Sequence, residues 1–240
     1  MTVAPRPPGS SDAPAPDAVT AASGARRAYY SDDYVTIYHG RCEEVLEWLA
    51  ADVLVTDPPY GMGLKSNRSK ANDLSIASDH DATTRDNALA LWGERPALVF
   101  GRWSIPHPPA TRMLLTWDKG EHTGMGDLSL PWKPVTEEVY VLGRGFSAPH
   151  RGSSVLHYLA PAPSPSVRMH PTEKPIRLMR HLVGTCPAGL IADPFMGSGS
   201  TLRAAKDLGR KAIGIEMDER YCEIAARRMG QDVLDLGGAA

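Results

Sequence analysis

Hydrophobic residues occur along the chain in short runs bounded by polar or turn-forming residues. Runs of four to eight residues rich in β-branched and aromatic side chains predict β-strands. The run Asp52–Thr56 stops abruptly at Asp57-Pro58-Pro59, which is typical of a buried parallel strand. The predicted strands are Tyr34–Tyr38, Asp52–Thr56, Ala97–Phe100, Met113–Trp117, Glu138–Leu142, Gly189–Ala192 and Ala212–Ile215.

Between these runs, apolar residues recur at helical spacing. Pro175 suits the first turn of a helix, Asp218 can cap another helix, and Gly209 and Gly230 can end two of them. The predicted helices cover Glu43–Leu49, Ala88–Trp92, a segment from Lys174-Pro175 to Val183, Ser200–Leu208 and Glu219–Met229.

The last third of the chain alternates strand, helix, strand and helix, which indicates a βαβ unit and an α/β fold. Proline-rich residues 1–28 lack any apolar period and predict a disordered tail. We therefore expect one domain over residues 29–232, followed by a short tail, 233–240. Within it, polar residues 61–85 predict a long mobile loop and residues 143–169 an irregular segment.

Composition and charge limit the classes of function. Hydrophobic residues make up 42% of the 240 residues and charged residues 22%, as in soluble globular proteins. No apolar stretch reaches the roughly 20 residues of a membrane helix, and no export signal is visible. The three distant cysteines predict neither a disulfide scaffold nor a metal site, and they favour the cytoplasm.

The net charge is −2, so any nucleic-acid contact must come from a local basic patch. One candidate lies between residues 141 and 181, where Glu173 is the only acid. Such a patch can contact phosphate, or it can be a solvated face without a ligand. Its basic residues are Arg144, Arg151, Arg168, Lys174, Arg177 and Arg180.

A glycine motif, Asp193-Pro-Phe195-Met-Gly197-Ser198-Gly199-Ser-Thr201, joins a predicted strand to a helix. Its glycines allow a ligand to approach the backbone, and the helix start offers free N–H groups. Glu216, at the end of the next strand, can bind two ribose hydroxyls. The spacing fits neither a dinucleotide fingerprint nor a P-loop, so the motif predicts a nucleoside site or else a tight turn alone.

The second motif, Asp57-Pro58-Pro59-Tyr60, ends a buried strand, where open α/β sheets place their sites. The two prolines hold the chain extended and present carbonyls in a fixed geometry. A carboxylate and a fixed carbonyl can accept both hydrogens of an exocyclic amine, and a tyrosine can stack on a base. A rigid turn without a ligand is the other interpretation.

A third motif, His170-Pro-Thr172-Glu-Lys174-Pro175, precedes a predicted helix and by itself indicates a helix cap with a basic edge. Taken together, the three motifs resemble the β group of DNA amino-methyltransferases, which have a permuted motif order and modify adenine N6 or cytosine N4. Phage-encoded and restriction-associated adenine methylases are the nearest kind. The resemblance extends from about Tyr34 to Met229.

The resemblance implies a Rossmann-like fold with a mostly parallel, twisted sheet and helices on both faces. It implies S-adenosylmethionine as cofactor, double-stranded DNA as substrate, and a bacterial or phage-infected cytoplasm as location. Glu216 would bind the ribose, and Thr172 and Lys174 would contact the methionine end. Asp57, Pro58, Pro59 and Tyr60 would bind a flipped target base. Asp193, Phe195, Gly197, Ser198 and Gly199 would hold the methionine part of the cofactor.

The chain departs from this family at two places. Gly40-Arg41 stands where the family commonly has Gly-Asp near the cofactor adenine, and an arginine cannot accept a hydrogen bond. The segment that usually reads DNA sequence, between Leu142 and His170, has only about 27 residues. Recognition can therefore involve a second subunit or a specificity partner. The candidate DNA contacts are Lys65, Arg68, Lys70, Arg144, Arg151 and Arg168.

Three interpretations of the activity stay open. Adenine N6 is favoured over cytosine N4 because cytosine enzymes more often carry Ser in place of Asp57. Methylation of RNA or of a protein glutamine is disfavoured by the order of the motifs. A silent nucleic-acid-binding module would explain Arg41 and the short recognition segment, but not the intact Asp57 and Glu216.

Overall fold

The computed structural model describes residues 26–59, 82–121, 126–160 and 173–231. Six predicted site residues lie outside these ranges, as does most of the predicted N-terminal tail. Those six residues are Tyr60, Lys65, Arg68, Lys70, Arg168 and Thr172.

Nine strands in the described ranges form one sheet in the order β1-β2-β9-β8-β3-β4-β6-β5-β7. Only β1 and β6 run against the others, so the sheet is mostly parallel, as predicted. The strands are β1 Tyr30–Ser31, β2 Val35–His39, β3 Val53–Thr56, β4 Ala97–Gly101, β5 Met113–Asp118, β6 Thr136–Leu142, β7 Val155–His157, β8 Ile191–Asp193 and β9 Ala212–Glu216.

Among the described residues, four α-helices and a 3-10 helix cover the two faces of the sheet. They are α1 Thr83–Trp92, α2 Ile176–Thr185, α3 Ser200–Asp207, α4 Glu219–Met229 and the 3-10 helix Leu46–Ala50. None of the described helices is long and apolar enough to cross a bilayer.

The apolar runs of the central strands are continuous because both faces are buried. Along β3, Val53 and Val55 pack with α2 and α3, whereas Leu54 packs on the opposite face with α1 and the 3-10 helix. This alternation follows the period of two in a strand. Burial of each such side chain contributes about 1.5–3 kcal/mol, so the central strands anchor the fold.

The chain leaves β3 and β8 in opposite directions, although these strands are neighbours. Helix α1 carries the chain from β3 to β4, and α3 carries it from β8 to β9 on the other side. The carboxyl ends of β3 and β8 therefore border a topological switch point, where open α/β sheets bind their ligands. Asp57 and Asp193 lie at these two ends.

Three predicted elements are wrong in part. The predicted helix Glu43–Leu49 is a turn followed by the short 3-10 helix Leu46–Ala50. Helix α1 begins at Thr83 within the predicted loop 61–85, because the buried guanidinium of Arg85 donates to the carbonyl of Pro106. The segment 143–169, predicted to be irregular, contains β7, which pairs with the outer side of β5.

Candidate active site

The glycine turn, residues 194–199 between β8 and α3, is tied to β9 by one carboxylate. Glu216 Oε2 accepts a hydrogen bond from the amide of Gly197 at 3.0 Å, and Oε1 accepts one from Asp218 at 2.8 Å. Burial raises the pKa of Glu216, although these amide donors oppose the rise. Each carboxylate oxygen retains acceptor capacity, so this pair of acceptors fits the two donating hydroxyls of a ribose diol.

Backbone conformation explains the two glycines of the turn. Gly197 and Gly199 have φ values of 50° and 79°, in the left-handed region that favours glycine. A Cβ on Gly199 would lie 3.0 Å from the Cβ of Ala225 in α4. The turn therefore depends on glycine both for its conformation and for its contact with α4.

Asp193 connects the glycine turn to the neighbouring strand. Its buried carboxylate accepts from the Thr56 hydroxyl at 2.7 Å and from the Phe195 amide at 3.2 Å. Burial raises the pKa of this carboxyl to about 6, against hydrogen bonds from Thr201 and Thr56. We refer to Asp193, the glycine turn and Glu216 as the cofactor half.

Asp57 lies one residue beyond β3, and the structure brings it together with Lys174 from the third motif. Lys174 Nζ lies 2.5 Å from Asp57 Oδ2 and 3.2 Å from Glu137 Oε2, and its side chain is only 6% exposed. Lys119 Nζ lies 3.2 Å from Glu137 Oε1. Pro58 is buried and Pro59 partly buried, which fixes the chain that follows Asp57. We refer to Asp57, Lys119, Glu137 and Lys174 as the target half.

Opposite charges determine ionisation within the target half. Burial opposes the charged form of Lys174, but Asp57 and Glu137 together raise its pKa above the ordinary value. Burial likewise disfavours ionised Glu137, yet Lys174 and Lys119 hold its pKa below the ordinary value. The ammonium of Lys174 also lies 4.8 Å from the centre of the Phe100 ring, within cation–π range.

Sequence reasoning missed Glu137 and Lys119. Lys119 follows β5, and Glu137 lies opposite Trp117 in the antiparallel β5–β6 pair. The sequence held one signal for them: Lys119 follows one predicted strand, and Glu137 directly precedes the next. The strand order of the sheet brings both residues to Asp57, and this order cannot be predicted from either segment alone.

The third motif joins the two halves through successive residues. Lys174 contacts the target half, whereas Glu173 Oε1 lies 2.5 Å from Arg228 Nη2 in α4. Arg228 Nη1 also donates to Ser200 at 3.1 Å and to Ser198 at 3.4 Å, and both hydroxyls are buried. The Ser198 side chain thus faces α4.

Two of the candidate DNA contacts, Arg144 and Arg151, lie at the opposite edge of the sheet from Asp57. Arg144 follows the end of β6 and Arg151 precedes β7, so both lie at the amino edge of the parallel strands. Asp57 lies at the carboxyl edge. Both arginines are exposed, but the structure does not bring them to the candidate site.

Arg41 lies two residues beyond β2, next to the end of β9, with its guanidinium 3.5 Å from Glu43. The cysteines lie outside both halves and are buried, and burial raises the pKa of each thiol to about 12. Across the described ranges, no group of three or more His, Cys, Asp or Glu side chains is placed to hold a metal ion.

A family model described as DNA methylase matches residues 114–227, which include Glu137, Lys174 and the glycine turn. YubD, a protein of Escherichia coli (strain K12) named as a methylase, is 30% identical over 211 residues, which cover 79% of this chain and 87% of YubD. The type II methyltransferase M2.DpnII of Streptococcus pneumoniae is 44% identical over 62 residues, which cover 25% of this chain and 23% of that protein.

Two solved structures share the fold. The M1.HpyAVI–SAM complex has a TM-score of 0.57 at 20% identity, over 82% of this chain and 100% of that chain. The cytosine-N4-specific PvuII DNA methyltransferase has a TM-score of 0.63 at 15% identity, over 87% of this chain and 91% of that chain. The predicted methyltransferase fold is therefore confirmed.

Proposed function

The chain belongs to the N6/N4 family of DNA methylases, and on that premise we propose that it methylates the N6 amine of adenine in double-stranded DNA. S-adenosylmethionine is the cofactor. The observation that carries the proposal is the Asp57 carboxylate at the switch point, one strand from the glycine turn. An aspartate rather than a serine at this position favours adenine.

The target base is swung out of the duplex, at an unstacking cost of a few kcal/mol. Asp57 and the carbonyl of Pro58 accept the two amine hydrogens, and Tyr60, outside the described residues, stacks on the base. These contacts direct the nitrogen lone pair and stabilise the positive charge that develops on it.

The sulfonium of the bound cofactor supplies the methyl group. Transfer is direct, without a covalent enzyme intermediate, because the three thiols are buried and lie in neither half of the site. Asp57 orients the amine and remains an acceptor for the proton that the methylated nitrogen loses.

Within the cofactor half, Glu216 would bind the ribose hydroxyls, while Asp193, Phe195 and the backbone of Gly197–Gly199 would hold the methionine part. Thr172, outside the described residues, contributes to the methionine end. For Lys174, the contacts with Asp57 and Glu137 support a primary role in the target half.

Phosphate contacts come from basic residues, with Lys65, Arg68, Lys70 and Arg168 outside the described ranges and Arg144 and Arg151 at the far edge of the sheet. The distance of Arg144 and Arg151 from Asp57 supports recognition that extends beyond the site, by a second copy of the chain or a specificity partner. The cytoplasm is the proposed compartment.

Asp57→Ala tests the proposal. We expect methyl transfer to duplex DNA to fall more than 1,000-fold, whereas the Kd for S-adenosylmethionine by calorimetry changes less than about threefold. The exposed Asp33→Ala is the matched control and should keep full activity. Weaker cofactor binding with transfer preserved would contradict the role of Asp57.

Mass spectrometry of nucleosides from treated DNA identifies the modified amine. N6-methyladenine is expected, whereas N4-methylcytosine alone would assign the chain to the cytosine branch. Tight cofactor binding with no methyl in any DNA would instead favour a silent binding module.

A further inference from the structure

A series of alternating charges, buried at Lys174 and partly buried elsewhere, begins at Asp57 and ends at Lys119. Lys174 Nζ lies between Asp57 and Glu137, at 2.5 and 3.2 Å from their carboxylates. Glu137 in turn lies between Lys174 and Lys119, with 3.2 Å to each ammonium. Because these side chains are largely shielded from water, salt screens their contacts only weakly.

Glu137 is the second ion-pair partner of the Lys174 ammonium, beside Asp57. A lysine side chain is long and flexible, so one carboxylate partner fixes the distance of its ammonium but not its direction. Glu137 provides a second anchor from β6, and the Phe100 ring lies beside the ammonium on β4. Asp57 Oδ2 is held through the same ammonium, so its orientation depends on a strand two positions away in the sheet.

Glu137 also changes the electrostatic environment of the target amine. Positive charge develops on the amine nitrogen during transfer, and an uncompensated ammonium beside Asp57 would oppose it. Lys174 faces two carboxylates instead of one, so its positive charge is shared between Glu137 and Asp57 and does not neutralise Asp57 alone. Since Lys174 and Lys119 favour ionised Glu137, this compensation is present at neutral pH.

We propose that Glu137 is a positioning residue for methyl transfer, which acts through Lys174 to hold the Asp57 carboxylate in the orientation that binds the target amine. The inference rests on the proposed function, because Asp57 is the group through which Glu137 acts. It assigns a role to a residue of β6 that lies outside the three sequence motifs.

Glu137→Gln removes the charge but keeps the size and one acceptor oxygen. We expect kcat for adenine methylation to fall roughly 10- to 100-fold, while the KM and Kd for S-adenosylmethionine stay within about twofold. Glu138→Gln is the matched control on the same strand, where the carboxylate accepts from the Tyr140 hydroxyl at 2.7 Å on the opposite face. It should stay within about twofold of the wild type.

A second measurement needs no cofactor or DNA. NMR titration of the Lys174 side chain should show a lower pKa in Glu137→Gln than in the wild type, because one of its two anionic partners is lost. Glu137→Asp, which keeps the charge, should recover part of both kcat and the Lys174 pKa.

The two ideas fail in different ways. A wild-type protein that methylates no DNA would overturn the proposed function. An active wild type with an unchanged kcat in Glu137→Gln would overturn the role of Glu137 alone. A loss of kcat accompanied by an equal loss of cofactor affinity, or an unchanged Lys174 pKa, would also overturn it.

Discussion

The cofactor half and the target half border the same switch point, but they consist of different chemical groups. The cofactor half lies within residues 193–216. Its main polar contacts are hydrogen bonds from the backbone amides of Gly197 and Asp218 to the single carboxylate of Glu216. The target half combines four charged side chains at positions 57, 119, 137 and 174, from four separate segments. One half is local in sequence, and the other exists only after the sheet has formed.

This difference predicts how each half responds to substitution. Glu216 in the cofactor half and the two residues whose amides it accepts from are only partly buried, so we expect its loss to weaken ligand affinity more than stability. Loss of one charge in the target half leaves buried opposite or like charges without compensation, which destabilises the fold itself. Four substitutions test the contrast.

Lys174→Met has the largest expected effect. It removes the ammonium that separates Asp57 from Glu137 and leaves both carboxylates poorly compensated. We expect the free energy of unfolding to fall by about 3–5 kcal/mol by chemical denaturation, with transfer abolished. Exposed Lys211→Met is the control and should change stability by less than about 0.5 kcal/mol. If Lys174→Met were as stable as the wild type, the target half would not depend on its charges for stability, and the contrast with the cofactor half would be wrong.

Asp193 tests the boundary between the halves through pH. Its folded pKa of about 6 lies above the ordinary 3.8 because of burial. Its contribution to stability is therefore fully present below pH 3.8 and is lost as pH rises through about 6. At about 1.4 kcal/mol per pH unit, the total is about 3 kcal/mol. The difference in unfolding free energy between wild type and Asp193→Asn should fall by most of this amount from pH 4 to 7, and a flat difference would refute it.

Glu216→Ala tests the cofactor half alone. We expect the Kd for S-adenosylmethionine to rise roughly 10- to 100-fold by calorimetry, because charge-assisted hydrogen bonds contribute about 1.5–3 kcal/mol. Stability should change less than affinity. Exposed Glu219→Ala should leave the Kd within about twofold. If Glu216→Ala unfolded the protein instead, the cofactor half would depend on buried charge as the target half does.

The smallest effect concerns backbone conformation. Gly199→Ala forces a left-handed conformation and a contact with Ala225, and should destabilise by about 1–2 kcal/mol. Gly184 in α2 has open space at its Cβ position, so Gly184→Ala should stabilise by roughly 0.5–1 kcal/mol. Thermal unfolding measures the stability of both variants. If both substitutions stabilised the protein, or both destabilised it, backbone conformation would not explain the choice of glycine.

The secondary structure around the cofactor half was predictable because its parts are consecutive. The order of strand, glycine turn, helix and strand around residues 193–216 is readable from local propensities, and the structure reproduces it in β8, α3 and β9. The link between Glu216 and the Gly197 amide follows from this local geometry.

The target half was only partly predictable. Asp57 and Lys174 were assigned to different ligands, and nothing in either motif requires that their side chains meet. That contact depends on strand order, as does the placement of Glu137. The same limit explains β7, whose three residues become a strand only beside β5, and α1, whose polar first turn depends on the distant carbonyl of Pro106.

Glu173 and Lys174 are neighbours in sequence, yet Arg228 holds one and Asp57 holds the other. One peptide unit therefore joins the ion pair with Arg228 in α4 to the ion pair with Asp57. Thermodynamic linkage makes such a connection symmetric: the factor by which S-adenosylmethionine changes the affinity for DNA equals the factor by which DNA changes the affinity for S-adenosylmethionine.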